Sequence, residues 1–341
     1  RNGGTWSDGT IYYEVVPKDA FEKIMWIDSD RFGYMINTVT EEALEREKQV
    51  VKNEKRQRVD NAAYGFTDEI IRKNLYPEGH PYSWTVIGEL PDLQAATLED
   101  VKEFYKQYYG AANATLVIAG DIDVEETKKL VQQWFGEIES GAFHHRELPQ
   151  EEPQTSYRKQ VIKGNVPMPS INLAFHMPGR LDPDYYSYDL LSDVLSNGPS
   201  SRLYRRMVKE KSIFTDIDAF ITGSIDPGLL IVTGKPMEGI EPQSAIDIVM
   251  KELTSLSEEQ VGEQELVKLK NKAESNLVFS EVNILNKAMS LAYFELIGDA
   301  GEINREADHY NAVTPIDVQR AAHAVFRKEN SSEITYIPSH N

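Results

Sequence analysis

Two glutamates, Glu47 and Glu54, stand in the segment Glu41 to Lys55, EEALEREKQVVKNEK, whose residue types favour helix. At about 100° per residue, Ala43, Leu44, Glu47, Val50, Val51 and Glu54 fall within an arc of roughly 120°. The two acids therefore lie two turns apart, about 10.5 Å along the axis, on the stripe that carries the apolar residues. A carboxylate on a core-facing stripe needs compensation, because a buried unpaired charge is expensive. Two readings stay open from the pattern. Either the helix lies at a domain rim, where both acids stay wet or pair with Arg or Lys, or the pair does metal or acid–base chemistry.

Composition narrows the chemistry. There is no cysteine among the 341 residues, so a disulfide, a thiolate nucleophile and a Cys-bound zinc are excluded, and any metal site must use His, Asp or Glu. The 36 basic and 55 acidic residues give a net charge of -19, which argues against nucleic acid, whose phosphates call for clustered Lys and Arg. That charge is read mainly as solubility, although an acidic cavity would favour basic peptides. With 40% hydrophobic and 27% charged residues the balance is that of a soluble globular protein. No apolar stretch approaches the roughly 20 residues that span a bilayer. Arg1-Asn2-Gly3-Gly4 does not read as a signal peptide, and the missing initiator Met leads us to expect that the natural chain begins upstream.

The elements that must position the acids are organised by an internal repeat. Thr97-Leu-Glu-Asp-Val101, a helical stretch, Asn113 and ATLVIAG are matched by Thr314-Pro-Ile-Asp-Val318, a helical stretch, Asn330 and EITYIP. In both copies the Asn follows the Thr by 16 residues. Each reads as a capped helix, a turn and a strand, with Pro315 at the first helical position. Length and repeat together predict two similar α+β domains, each a mainly antiparallel sheet packed with helices. The stretch from His144 to Lys159, with Pro149, Pro153, Glu147, Glu151 and Glu152, has linker composition, so the domains are expected over 1–150 and 151–341. Strands are expected at Thr10–Val16, Ile171–Phe175 and Leu229–Thr233, and helices at 41–62, 97–109, 185–196, 241–256 and 261–297.

Several segments, taken in order, resemble the pitrilysin/insulinase family of zinc metallopeptidases. Glu47-Lys-Gln-Val-Val-Lys-Asn-Glu54 is similar to the family's downstream glutamate segment, and Asn2-Gly-Gly-Thr-Trp-Ser-Asp-Gly-Thr10-Ile-Tyr-Tyr13 to its edge strand. Val16-Pro17, Asp30-Arg31, His80-Pro-Tyr-Ser-Trp-Thr-Val-Ile-Gly88, Phe104-Tyr105 with Tyr108-Tyr109, Ala119-Gly-Asp121 and Trp134-Phe-Gly136 follow in the family's order. Gly198-Pro-Ser-Ser-Arg-Leu-Tyr204 and Lys209-Glu-Lys211 resemble its Ser-Arg-Leu loop and the helix after it.

The resemblance implies a fold like that of the mitochondrial processing peptidases and a zinc-dependent endopeptidase acting on peptides in a chamber between two halves. The protein would then be a homodimer or pair with another family half. In the complete protein, one zinc would be held by Glu54 and two upstream His, with Glu47 as the second acid supporting catalysis. Substrate would lie along Asn2, Gly3, Gly4 and Thr5, with Arg202 and Thr215 as contacts from a second, inactive domain. Arg202 also suits a structural ion pair with an acid. Thr215 stands where many members carry a Tyr, and its hydroxyl can donate a hydrogen bond but with shorter reach.

The sequence departs from the family in one decisive respect. None of the histidines, at 80, 144, 145, 176, 309, 323 and 340, has a partner in the H-x-x-E-H spacing that supplies the two His ligands and the base. This stretch alone is therefore expected to be inactive and to lack zinc. The alternative is a non-catalytic family member that serves as a structural or substrate-binding partner. The source reads as bacterial, with periplasm and cytoplasm both open.

Overall fold

In the computed structural model, which describes residues 1–141, 148–149 and 152–339, the chain opens with a hairpin of β1 (Asn2–Trp6) and β2 (Gly9–Tyr13). Six helices follow: α1 (Phe21–Gly33), α2 (Glu41–Lys55), α3 (Thr67–Leu75), α4 (Leu90–Ala95), α5 (Leu98–Tyr108) and α6 (Val124–Phe135). Next come β3 (Arg158–Gly164), β4 (Ser170–Met177), α7 (Tyr185–Ser196), β5 (Phe214–Ile221) and β6 (Gly228–Pro236). The chain closes with α8 (Pro242–Glu258), α9 (Glu263–Glu281), α10 (Ile284–Ile297), α11 (Glu306–Ala312), α12 (Pro315–Val325) and β7 (Ser331–Pro338). This is the expected α+β class. The single helix expected over 261–297 is two, because the Asn283 side chain accepts from the Leu285 amide and caps a new start.

The repeat is visible atom by atom up to its last element. Asp100 N donates to Thr97 Oγ1 at 3.2 Å while Thr97 N donates to Asp100 Oδ2 at 2.7 Å. The second copy repeats this with Asp317 N to Thr314 Oγ1 at 3.3 Å and Thr314 N to Asp317 Oδ2 at 2.9 Å. Both are capping boxes, each satisfying two amides that a helix start leaves open. At the far ends, Asn113 Nδ2 donates to Tyr108 O at 3.0 Å and Asn330 Nδ2 to Val325 O at 2.9 Å. The copies then diverge. Ser331–Pro338 forms β7, hydrogen-bonded between β3 and β4, whereas 114–119 is irregular, against the strand expected there. A strand is held by its neighbours, and the only other sheet among the described residues, β1–β2, does not include this segment.

The chain divides into two units that interleave in sequence. The first comprises Arg1–Arg58, Val86–Leu148 and Ser280–Ile303, and the second Val59–Thr85, Pro149–Phe279 and Asn304–Asn341. The domain boundary expected near residue 150, and His144-His145 with it, lie outside the described residues. The second unit holds the hydrophobic core. Its sheet has the order β3-β7-β4-β6-β5, antiparallel except for the β3–β7 pair. On one face, Ile171, Leu173 and Phe175 of β4 and Leu230 and Val232 of β6 pack with Leu191 and Leu195 of α7, Leu253 of α8 and Val318 of α12. The alternate residues, Ala174, Leu229, Ile231, Ile334 and Tyr336, pack with Ile71 and Leu75 of α3 on the other face. That is the period-two alternation of a sheet covered on both sides. Among the described residues of the first unit the buried apolar ones are Met25 and Phe294, so its elements rely much less on burial.

Candidate functional site

Helix α2 starts where Thr40 Oγ1 accepts from the Ala43 amide at 3.2 Å, with Glu41 and Glu42 favouring its positive end. Its buried residues are Lys48 and Lys55, while Val50 is 53% exposed. The buried face is therefore rotated from the stripe expected to face a core. Lys48 lies with its stem covered and its ammonium donating to Glu45 Oε1 at 2.6 Å, as long basic side chains allow. Glu47 is exposed and has no ion-pair partner among the described residues. Glu54 is half-buried, and its Oε1 pairs with Arg58 Nη1 at 2.8 Å, Arg58 standing in the π-helical turn Arg56–Asp60 that ends α2. Glu47 is thus open to solvent and Glu54 partly covered beside Arg58. Among those residues no group of three or more His, Asp or Glu could hold a metal ion. The described donors do not fit a zinc ion by themselves, since a catalytic zinc takes three protein ligands.

The edge strand predicted around Asn2–Thr5 is β1, paired antiparallel with β2 in the register Gly3↔Tyr12 and Thr5↔Thr10. The Asn2 carboxamide oxygen accepts from the Gly3 amide at 2.9 Å, and the Thr5 and Thr10 hydroxyls lie 3.0 Å apart. The two glycines differ. A Cβ on Gly3 would stand 3.0 Å from Ile11 O and 3.1 Å from Tyr12 Cδ1, whereas one on Gly4 would meet nothing within 4 Å. Gly3 therefore allows the close approach of Ile11 O and the Tyr12 ring, while Gly4 faces open space. The hairpin is a two-stranded sheet, so β1 presents an unpaired edge among the described residues.

In the other unit Arg202 is bound into the structure: Nε and Nη2 donate to Glu265 Oε1 and Oε2 at 3.2 and 2.9 Å. This two-pronged pair matches the structural role kept open for it. Thr215 is exposed on β5, at the irregularity between Phe214 and Asp216. Its hydroxyl has Asp216 Oδ1 at 2.9 Å and Lys235 O at 3.1 Å as acceptors. Glu47, Glu54 and residues 2–5 belong to the first unit, and Arg202 and Thr215 to the second.

A cluster missed by sequence reasoning lies behind the edge strand. Arg31 of α1 pairs with Glu14 at 3.5 Å and Asp28 at 3.0 Å, and its guanidinium lies 4.8 Å from the Tyr12 ring centroid. Asp28 and Arg31 are neighbours on one helix and so legible in the sequence. Glu14 and Tyr12 are brought in by the fold.

Comparison with known proteins fits this picture. The family described as peptidase M16 inactive domain matches residues 95–273, just over half of the chain. The zinc protease PqqE of Helicobacter pylori is 24% identical over 346 aligned positions, which cover 99% of this chain and 76% of that protein. A crystal structure of a protease from Helicobacter pylori superposes with a TM-score of 0.86 at 22% identity, covering 95% of this chain and 78% of that one. The peptidase M16 inactive domain from Pseudomonas fluorescens gives 0.80 at 17% identity, covering 95% and 76%. The order of motifs, the α+β architecture and the extent of the match lead to one conclusion: this chain belongs to the pitrilysin/insulinase, or peptidase M16, family.

Proposed function

We propose that this chain is the substrate-holding part of a zinc-dependent endopeptidase that cleaves peptides within a chamber closed by a second family half, supplied by another copy or by a partner. The observation that carries this reading is the placement of Glu47 and Glu54 two turns apart on one side of α2, Glu47 exposed and Glu54 half-buried beside Arg58. In a family member they are where the third zinc ligand, Glu54, and a supporting acid, Glu47, are wanted. The role of residues 2–5 in this reading is backbone recognition: an extended peptide adds to the unpaired edge of β1, reading main chain more than side chains. Arg202, held by Glu265, organises the loop before the π-helical turn Tyr204–Glu210, and Thr215 lines the second unit's edge strand.

No catalytic step is assigned to the residues described, because they supply one of three expected zinc ligands and no base in the family's spacing. A second reading, a non-catalytic family member that holds substrate or structure, is favoured by the match to an inactive-domain family. The natural coding sequence separates the two, since an H-x-x-E-H segment upstream of residue 1 supports the peptidase and its absence supports the non-catalytic partner. In a protein that carries the segment, Glu54→Gln is expected to abolish zinc measured by metal analysis. Zinc kept at full occupancy in that variant would overturn the ligand assignment.

A further inference from the structure

The hairpin that offers the β1 edge has few means of staying ordered. A two-stranded hairpin is marginal in water by itself, and among the described residues of the first unit the buried apolar ones are Met25 and Phe294. What holds the hairpin is a set of side chains converging on Tyr12. The Tyr12 ring packs edge-on to Phe32 at 5.6 Å, and its hydroxyl meets that of Tyr109 at 2.5 Å. Its other neighbour is the Arg31 guanidinium, which also lies 5.5 Å from the Phe32 ring. Gly3 of β1 lies against this ring, where an added Cβ would stand 3.1 Å from Tyr12 Cδ1. Arg31 is anchored in turn, because its main-chain carbonyl accepts from Tyr105 Oη at 2.9 Å and Tyr105 stacks on Tyr109 at 4.8 Å.

The charges around Arg31 are placed without being saturated. Glu14, 8% exposed, and Asp28 face its guanidinium, yet Glu14 Oε1, Asp28 Oδ1 and Arg31 Nε make no aligned hydrogen bond among the described residues. Charge and ring stacking, rather than a closed hydrogen-bond fork, therefore hold the group, and such contacts suit a planar guanidinium better than an ammonium. We infer that Arg31 is a positioning residue for the β1 edge: by clamping Tyr12 against Phe32 and Tyr109 it keeps the hairpin in the extended form to which a peptide adds. The inference rests on the edge-strand reading above. Its physical basis is that an edge already ordered spares a binding peptide the entropy of ordering it.

The test uses this chain, its Arg31→Ala and Arg31→Lys variants, amide exchange read by mass spectrometry, and a fluorescein-labelled neutral peptide of alternating Thr and Gln as the anisotropy probe. In Arg31→Ala, residues 2–13 should exchange about ten-fold faster while β4 stays within about two-fold of the wild type, the order expected from losing a partly buried cation–π contact. Peptide affinity should fall in the same proportion. Arg31→Lys, which restores charge to Glu14 and Asp28 without the flat stack, should recover only part of both. Unchanged exchange of residues 2–13 in Arg31→Ala, with the wild type binding peptide, overturns the role of Arg31 alone. Equal acceleration in β4 also overturns it, by making Arg31 a residue of the whole fold. A wild-type chain that binds no peptide overturns the edge reading itself.

Discussion

Asp193 is a carboxylate whose folded environment works against its charge, and the consequence can be worked through. It is half-buried on α7, where burial, and then the neighbouring charge of Asp189, push its pKa up from the ordinary 3.8 to about 6. Lys272 and the hydrogen bond from Asn197 Nδ2 at 2.6 Å pull the other way without cancelling the rise. An acid whose pKa is higher in the folded state binds its proton more tightly there, so the fold gains from it at low pH. That gain is lost as pH rises from about 4 through about 6. At roughly 1.4 kcal/mol per pH unit the full difference would be about 3 kcal/mol, and solvent access reduces it to about 1–2 kcal/mol. Asp193→Asn keeps the shape and an acceptor for Asn197 and removes the charge. Urea titrations at pH 7 should therefore show the variant more stable by about 1–2 kcal/mol, with the gain vanishing near pH 4. A variant that is less stable at pH 7, or shifted equally at both pH values, would refute the argument.

The paired caps offer a test of where stability resides. Thr314→Ala removes the cap of a helix whose Val318, Ala321, Ala322 and Val325 are buried, and should lower unfolding stability by about 1 kcal/mol in urea titrations. Thr97→Ala removes the same cap from α5, which buries no residue; it should show only as faster amide exchange in that helix's first turn, so an equal global loss would contradict the uneven core. Arg202→Ala strands the part-buried Glu265 carboxylate and should cost about 1–3 kcal/mol in urea titrations. It should leave affinity for the Thr-Gln peptide unchanged, and the reverse outcome would favour Arg202 as a substrate contact.

Much of this molecule is legible in its sequence, and what is not follows a physical pattern. Both capping boxes and both Asn turns follow from contacts within a few residues, so T-x-x-D with an Asn 16 positions on specified them fully. The strands β4 and β6 announced themselves because a sheet buried on both faces reads as a continuous apolar run. The family resemblance was likewise carried by the order of short motifs along the chain. Tertiary structure decided what depends on neighbours distant in sequence. Residues 114–119 have the composition of a strand and form none, because a strand exists only when another strand completes its hydrogen bonds. The face of α2 turned inward is the one bearing Lys48 and Lys55, since long basic side chains can bury their stems and a hydropathy pattern counts only their charge. Whether Arg202 was free or paired depended on Glu265, 63 residues away. The grip of Arg31 on the hairpin likewise required Tyr12, Glu14, Phe32 and Tyr109 to meet through the fold. The sequence by itself thus determined the elements and the family, because both are written in local order. Only the tertiary structure decided which charged groups are paired and which surfaces are left uncovered, because pairing and burial are properties of distance in space.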